Sequence, residues 1–104
     1  MITTIRVSDY TILPGARHVE DGDGSADQFF DNYVKQSLIK ILQEKDSQLV
    51  IDLDGTLGYA SSFISQLAVR AKELCKNKRK LHKKLIIKSD DDIEQKERFW
   101  NEIG

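Results

Sequence analysis

The densest concentration of chemistry-bearing residues in this sequence lies between Leu49 and Arg70. An apolar run, Leu49-Val50-Ile51, leads into Asp52-Leu53-Asp54-Gly55-Thr56. Two carboxylates at alternate positions past a strand end can chelate a hard divalent cation and do acid and base work beside it. The same pair can instead cap turn amides ahead of Gly55. A little further on come Ser61 and Ser62, at the expected start of a helix. A phosphate there would gain from the positive helix pole and from free backbone N–H groups. Left unmodified, the two hydroxyls serve as an N-cap with an extra polar neighbour.

Other residues in and around this segment have two readings each. Gly58 breaks the chain ahead of the helix, Tyr59 is a contact aromatic or a packing residue, and Phe63 puts a bulky ring beside the serines. Arg17, in the Gly15 loop, is positioned to contact an anion or to pair with Asp21 or Asp23. His18 and His82 have no second ligand at metal spacing, so no metal is expected outside the Asp52 and Asp54 alternative. With no phosphate-cradling glycine loop and no nucleophile elbow, no cofactor is expected either.

The elements that must position these residues follow from periodicity. Ile2 to Val7 is a β-branched run and reads as a strand. A second extended piece is expected around Tyr10 to Leu13, before Pro14-Gly15 turns the chain. Ser25, with Gln28 three residues on, looks like a capping box opening a helix to about Lys45. That helix has Phe29, Phe30, Tyr33, Val34, Leu38, Ile41 and Leu42 along one face. Leu49 to Leu53 fits a buried central strand. A second helix from Ser61 or Ser62 turns Phe63, Ile64, Leu67, Ala68, Ala71, Leu74 and Cys75 inward. Lys84 to Lys88 reads as another strand, and a last helix spans about Asp91 to Ile103, burying Ile93, Phe99, Trp100 and Ile103.

With 104 residues, the chain fits one domain, 1–104. No apolar stretch approaches the roughly 18 residues of a membrane span, no basic-then-apolar leader opens the chain, and the lone Cys75 makes no disulfide. A cytoplasmic location is the expectation. The formal net charge of −1 conceals segregation. Arg70 to Lys84 has eight bases against Glu73, while Asp9 to Asp31 and Asp90 to Glu102 are acidic. The basic run reads as a solvated helix end and loop that suits the helix dipole. The run could instead meet the phosphate groups of a nucleic acid or a phospholipid surface, but it lacks the interleaved aromatics that single-strand binders use, so a nucleic-acid partner is not the expectation.

Asp52-Leu53-Asp54-Gly55-Thr56 is similar to the first motif of the haloacid-dehalogenase phosphatases. That resemblance implies a nucleophile at Asp52, an acid and base at Asp54 and a magnesium ion. Lys88, Ser89 and Asp90 to Asp92 imitate the later motifs, but they crowd into five consecutive residues where that family spreads them over separate strands. The longer segment Asp52 to Phe63 resembles the signature of STAS domains, the fold of anti-sigma-factor antagonists, with Ser62 on the serine that a partner kinase phosphorylates. Ala60 and Phe63 stand where those antagonists have aspartate and glycine. A still nearer resemblance is to uncharacterised bacterial STAS-like proteins. It rests on Gly15-Ala16-Arg17, Ser25-Ala26-Asp27-Gln28-Phe29 and Leu53-Asp54-Gly55-Thr56-Leu57-Gly58-Tyr59-Ala60-Ser61-Ser62-Phe63-Ile64, and covers about Pro14 to Arg70.

The expected fold is therefore α/β and STAS-like: a three- or four-stranded, mainly parallel sheet packed by three helices. The resemblance implies a non-catalytic regulatory module that meets a protein partner through Gly58, Tyr59, Ser61, Ser62 and Phe63. An ATPase of the histidine-kinase type is the kind of partner it suggests. The alternative is a small magnesium-dependent phosphatase using Asp52 and Asp54.

Overall fold

A computed structural model describes all residues, 1–104. The first strand, β1 (Ile2–Arg6), is where the β-branched run predicts it. The extended piece expected around Tyr10 to Leu13 is replaced by a single helical turn, α1 (Val7–Tyr10). The reason is which side the apolar residues must face. Val7 is fully buried and Tyr10 packs against the same core. Residues three apart share a side in a helix and lie on opposite sides of a strand.

The long helix over 26–43 starts as expected, with the Ser25 hydroxyl accepting the Gln28 amide at 3.2 Å. It runs through α2 (Ala26–Phe29), a π turn (Phe30–Val34) and α3 (Lys35–Gln43). It stops short of Lys45 because Glu44 turns extended. Phe29, Phe30, Val34, Leu38 and Ile41 are buried, but the π turn advances the register and leaves Tyr33 44% exposed against the Tyr10 and Phe29 rings.

The central strand is β2 (Gln48–Asp52), followed by α4 (Ser61–Leu74). The basic run then forms a helix of its own, α5 (Lys78–Lys84), not a loop. Asn77 caps it by accepting the Lys80 amide at 3.1 Å, and Leu81 fills a core position with no exposed surface. β3 (Leu85–Lys88) and α6 (Ile93–Ile103) complete the chain, α6 capped by Asp92. Ile93 is 59% exposed, against expectation. The inward face of α6 runs through Gln95, Phe99 and Ile103 at steps of four, and Ile93 in the first turn lies off it.

The sheet has three parallel strands in the order β1-β2-β3. Its register sets rows across the strands, and rows alternate between faces. Thr3, Leu49 and Leu85 form one row of the helix-covered face, and Ile5, Ile51 and Ile87 another. The opposite face is uncovered and carries Thr4, Val50 and Ile86. At its end lies the row Arg6, Asp52 and Lys88. Each crossover advances one strand in the same direction, so both sets of helices fall on one side. The carboxyl ends of all three strands thus meet the turn that follows β2.

Candidate functional site

Two features gather at the carboxyl ends of the strands, where open α/β sheets commonly place ligands. The first is a charge cluster. The Lys88 ammonium lies 2.7 Å from Asp54 Oδ2, 3.1 Å from Asp90 Oδ2 and 3.9 Å from Asp52 Oδ2. Arg6 reaches Asp52 Oδ2 at 3.6 Å from the other edge strand. The remaining carboxylate oxygens serve the backbone. Asp52 Oδ1 accepts the Asp54 amide at 2.9 Å and Asp54 Oδ1 accepts the Asp91 amide at 2.8 Å. Partial burial would raise the Asp54 pKa, but the Asp91 amide and the Lys88 ammonium outweigh it and hold this carboxyl below its ordinary value. The hydrogen bonds that Lys88 donates to Asp54 and Asp90 push it above the ordinary lysine range.

This arrangement does not fit a divalent ion between Asp52 and Asp54. Lys88 sits against both carboxylates, and no group of three His, Cys, Asp or Glu side chains is placed to hold a metal. Ser89, wholly on the backbone side, donates its hydroxyl to the Asp92 carbonyl and so supports the α6 cap.

The second feature is the turn from Gly55 to Ala60 and the start of α4. Gly55 and Gly58 hold φ of +88° and +135°, a region that side chains with a Cβ rarely adopt. The chain between them is bent back so that Tyr59 packs inward and donates its hydroxyl to the Leu53 carbonyl at 2.7 Å. Burial raises the Tyr59 pKa, and the carboxylates of Asp52 and Asp54 add to the effect. Tyr59 and Phe63 rings lie 5.8 Å apart, and Phe63 has no exposed surface. Both rings hold the turn on the core; Phe63 is closed to a partner, while half-buried Tyr59 lines a surface groove with Thr56, Leu57 and Gly58.

Ser61 and Ser62 occupy the first turn of α4, after Ala60 at the N-cap. With alanine there, no side chain caps the helix. Ser61 is exposed; Ser62 is half-buried and donates its hydroxyl to the Gly15 carbonyl at 2.8 Å. That bond belongs to a series. The Leu57 amide donates to the Ile12 carbonyl at 2.8 Å, Ala60 to Pro14 at 3.1 Å, Ala26 to Ala16 at 2.9 Å and Asp27 to Arg17 at 3.2 Å. The segment 12–17 is a strap whose carbonyls take the first amides of the helix that opens at Ala26 and, ahead of α4, the Leu57 and Ala60 amides and the Ser62 hydroxyl, leaving the first-turn amides of α4 free of it.

Arg17 makes no side-chain ion pair with Asp21 or Asp23; its carbonyl is what the fold uses. The neighbouring His18 pairs with Asp27 at 2.6 Å, and Asp27 also accepts from Gln66 at 2.8 Å and Arg70 at 3.1 Å. His82 stacks on Trp100 with centroids 4.0 Å apart. Sequence reasoning did not single out Ile12, Leu13 and Leu57, which are 51%, 65% and 75% exposed beside the site. The available signal was an apolar pair immediately before Pro14-Gly15, in a place where turn residues are usually polar.

Comparison of the chain with protein-family models, with curated proteins and with solved structures finds no match in any of the three. No helix is long and apolar enough to cross a membrane.

Proposed function

We propose that this protein is a non-catalytic regulatory module of STAS-like type, which meets a protein partner through the surface around Gly58, Ser61 and Ser62. The observation that carries this reading is the Ser62 hydroxyl, poised at the start of α4 and bonded to Gly15 of the strap. Phosphorylation would exchange that donor for acceptor oxygens next to a carbonyl, and a phosphate at the helix start would be held by the free amides there. The negative oxygens would then repel the Gly15 carbonyl and push the strap off its seat, which loss of the hydroxyl alone would not do. Exposed Ile12, Leu13 and Leu57 supply apolar surface beside the site, the kind of surface that marks interaction sites. Tyr59 and Phe63 act from beneath by fixing the turn. An ATPase of the histidine-kinase type is the partner class suggested by the resemblance of residues 14–70 to STAS-like proteins.

The test is phosphopeptide mapping of the protein purified from its own cells, coupled to binding of the partner so found. Phosphate on Ser62, with binding weakened by Ser62→Asp and kept by Ser62→Ala, is the expected result. Unchanged binding by Ser62→Asp would overturn the switch. The phosphatase alternative predicts magnesium-dependent hydrolysis of a phosphate ester that is lost in Asp52→Asn.

A further inference from the structure

We infer that α5 is a docking surface for the phosphate backbone of duplex nucleic acid, separate from the site around Ser62. The helix has a single inward edge, Leu81 and Lys84, both buried. Lys84 anchors it unusually firmly. Its ammonium donates to the carbonyls of Glu44, Lys45 and Ser47 at 2.5, 2.9 and 3.3 Å, bolting α5 to the loop between α3 and β2. Every other side chain of the helix faces solvent: Lys78, Arg79, Lys80, His82 and Lys83. At 3.6 residues per turn, Arg79 and Lys83 point straight outward, with Lys78 and Lys80 on the flanks.

These four cations make no ion pair within the chain, although the Lys78 side chain lies against Gly104 and Asp46 lines a groove with Lys83. The ion pairs of this protein involve Arg6, His18, Arg70 and Lys88, and none involves α5. The acids Glu73 and Glu102 lie beside Lys72 and Lys76 in a neighbouring groove, so the open positive field belongs to α5 itself. A helix carrying four exposed charges outside any ion pair complements the densest regular anion available, one phosphate per about 1.7 Å of duplex axis.

Two alternatives fit less well. A lipid surface would be met by apolar side chains on the same helix, but Leu81 is wholly buried and no other residue of α5 is apolar. A single strand would be met by free aromatics, and the one aromatic here, Trp100, is half-buried with its ring stacked on His82.

The experiment is fluorescence anisotropy of a labelled duplex titrated with the full chain. Four phosphate contacts predict a slope of log K against log salt of about −3.6, or about a hundredfold loss of affinity between about 50 and about 200 mM salt. The variant Arg79→Gln/Lys80→Gln/Lys83→Gln should bring the slope to about −0.9. The charge-matched control Lys35→Gln/Lys40→Gln/Arg98→Gln changes exposed cations elsewhere and should leave it unaltered. All six side chains are exposed, and circular dichroism of each variant confirms that the fold is kept. Absence of binding at low salt overturns the inference, as does equal loss in the control. It is overturned equally if a single strand of the same length, or vesicles of phosphatidylglycerol and phosphatidylcholine, bind more tightly than the duplex.

Discussion

The hydroxyl of Ser62 donates to the carbonyl of Gly15 across 2.8 Å and 47 positions of sequence. With the Ala60 amide on Pro14 and the Leu57 amide on Ile12, it closes a three-bond seam between the strap and the turn before α4. The serine hydroxyl is the seam's only side-chain donor. Chemistry on Ser62 therefore reads out in the strap, which carries Ile12 and Leu13 on its outer side.

Removal of that donor has a bounded effect. Ser62→Ala should cost about 1 kcal/mol, the net worth of one hydrogen bond, measured as a shift in urea midpoint. Ser62→Asp should go further locally, because the carboxylate faces the Gly15 carbonyl. Faster amide exchange at Leu57 and Ala60, with core strands unaffected, is the expected signature. Uniform exchange in Ser62→Asp would show that the seam does not depend on this hydroxyl.

Phe63 and Leu57 separate structure from recognition at the same site. Phe63→Ala empties a fully buried position and should cost about 3–5 kcal/mol. That is a large share of the about 5–15 kcal/mol total typical of a domain. Leu57→Ser removes a side chain that is 75% exposed, and its stability change should stay within about 0.5 kcal/mol. Loss of partner binding in Leu57→Ser with an unchanged melting curve marks Leu57 as a contact. Full binding by that variant would remove Leu57 from the interface.

The parts of the fold written in local chemistry were legible in the sequence. The β-branched run of β1, the Ser25 cap and the apolar core of β2 each declare themselves through neighbours within a few residues. What was not legible depends on distant partners. Lys84 sits in a basic run indistinguishable from its neighbours, yet only its ammonium finds three backbone carbonyls contributed by residues 44–47. Val7 and Tyr10 read as strand and extended piece, and become one helical turn because both must reach the same core from one side of it. At the site, Asp52, Asp54 and Ser62 were visible as chemistry. Their commitments to Lys88 and to Gly15 were not, since both partners come from elsewhere in the chain.

The His18–Asp27 pair gives the surface a pH signature. The hydrogen bond to Asp27 raises the His18 pKa above its ordinary value, despite a small opposing desolvation. A raised histidine stabilises most fully below its unfolded value of about 6.5 and loses that contribution as pH climbs through the folded value. For Asp27, burial would raise the pKa, but bonds from His18, Gln66 and Arg70 lower it. Its contribution is present above about 4 and fades as pH falls through the folded value. The bond should therefore be complete between about pH 4 and 6.5. In NMR titration, Asp27→Asn should bring the His18 ring down toward the ordinary histidine value. An unmoved ring would mean that another group sets it.

Lys88 should control how Asp54 titrates and whether the strand-end carboxylates accept a metal. Asp54 is held low, so its stabilising effect is present above the ordinary carboxylate pKa of about 4 and disappears as pH falls through the folded value. Lys88 is held high, so its effect is full below about 10.4 and is lost as pH rises through the folded value. Lys88→Met removes the ammonium and leaves the Asp91 amide, so the Asp54 pKa should rise and acid unfolding should begin at a higher pH. It also frees Asp54 Oδ2 of its cation and leaves Asp52 Oδ2 facing Arg6 alone. Magnesium should then raise the melting temperature of Lys88→Met through binding to the folded state, while leaving that of the unaltered protein unchanged. Carboxyl NMR and thermal melts with and without magnesium measure both effects. If magnesium stabilises the unaltered protein, Lys88 does not block the pair, and the phosphatase assay with Asp52→Asn becomes the deciding experiment.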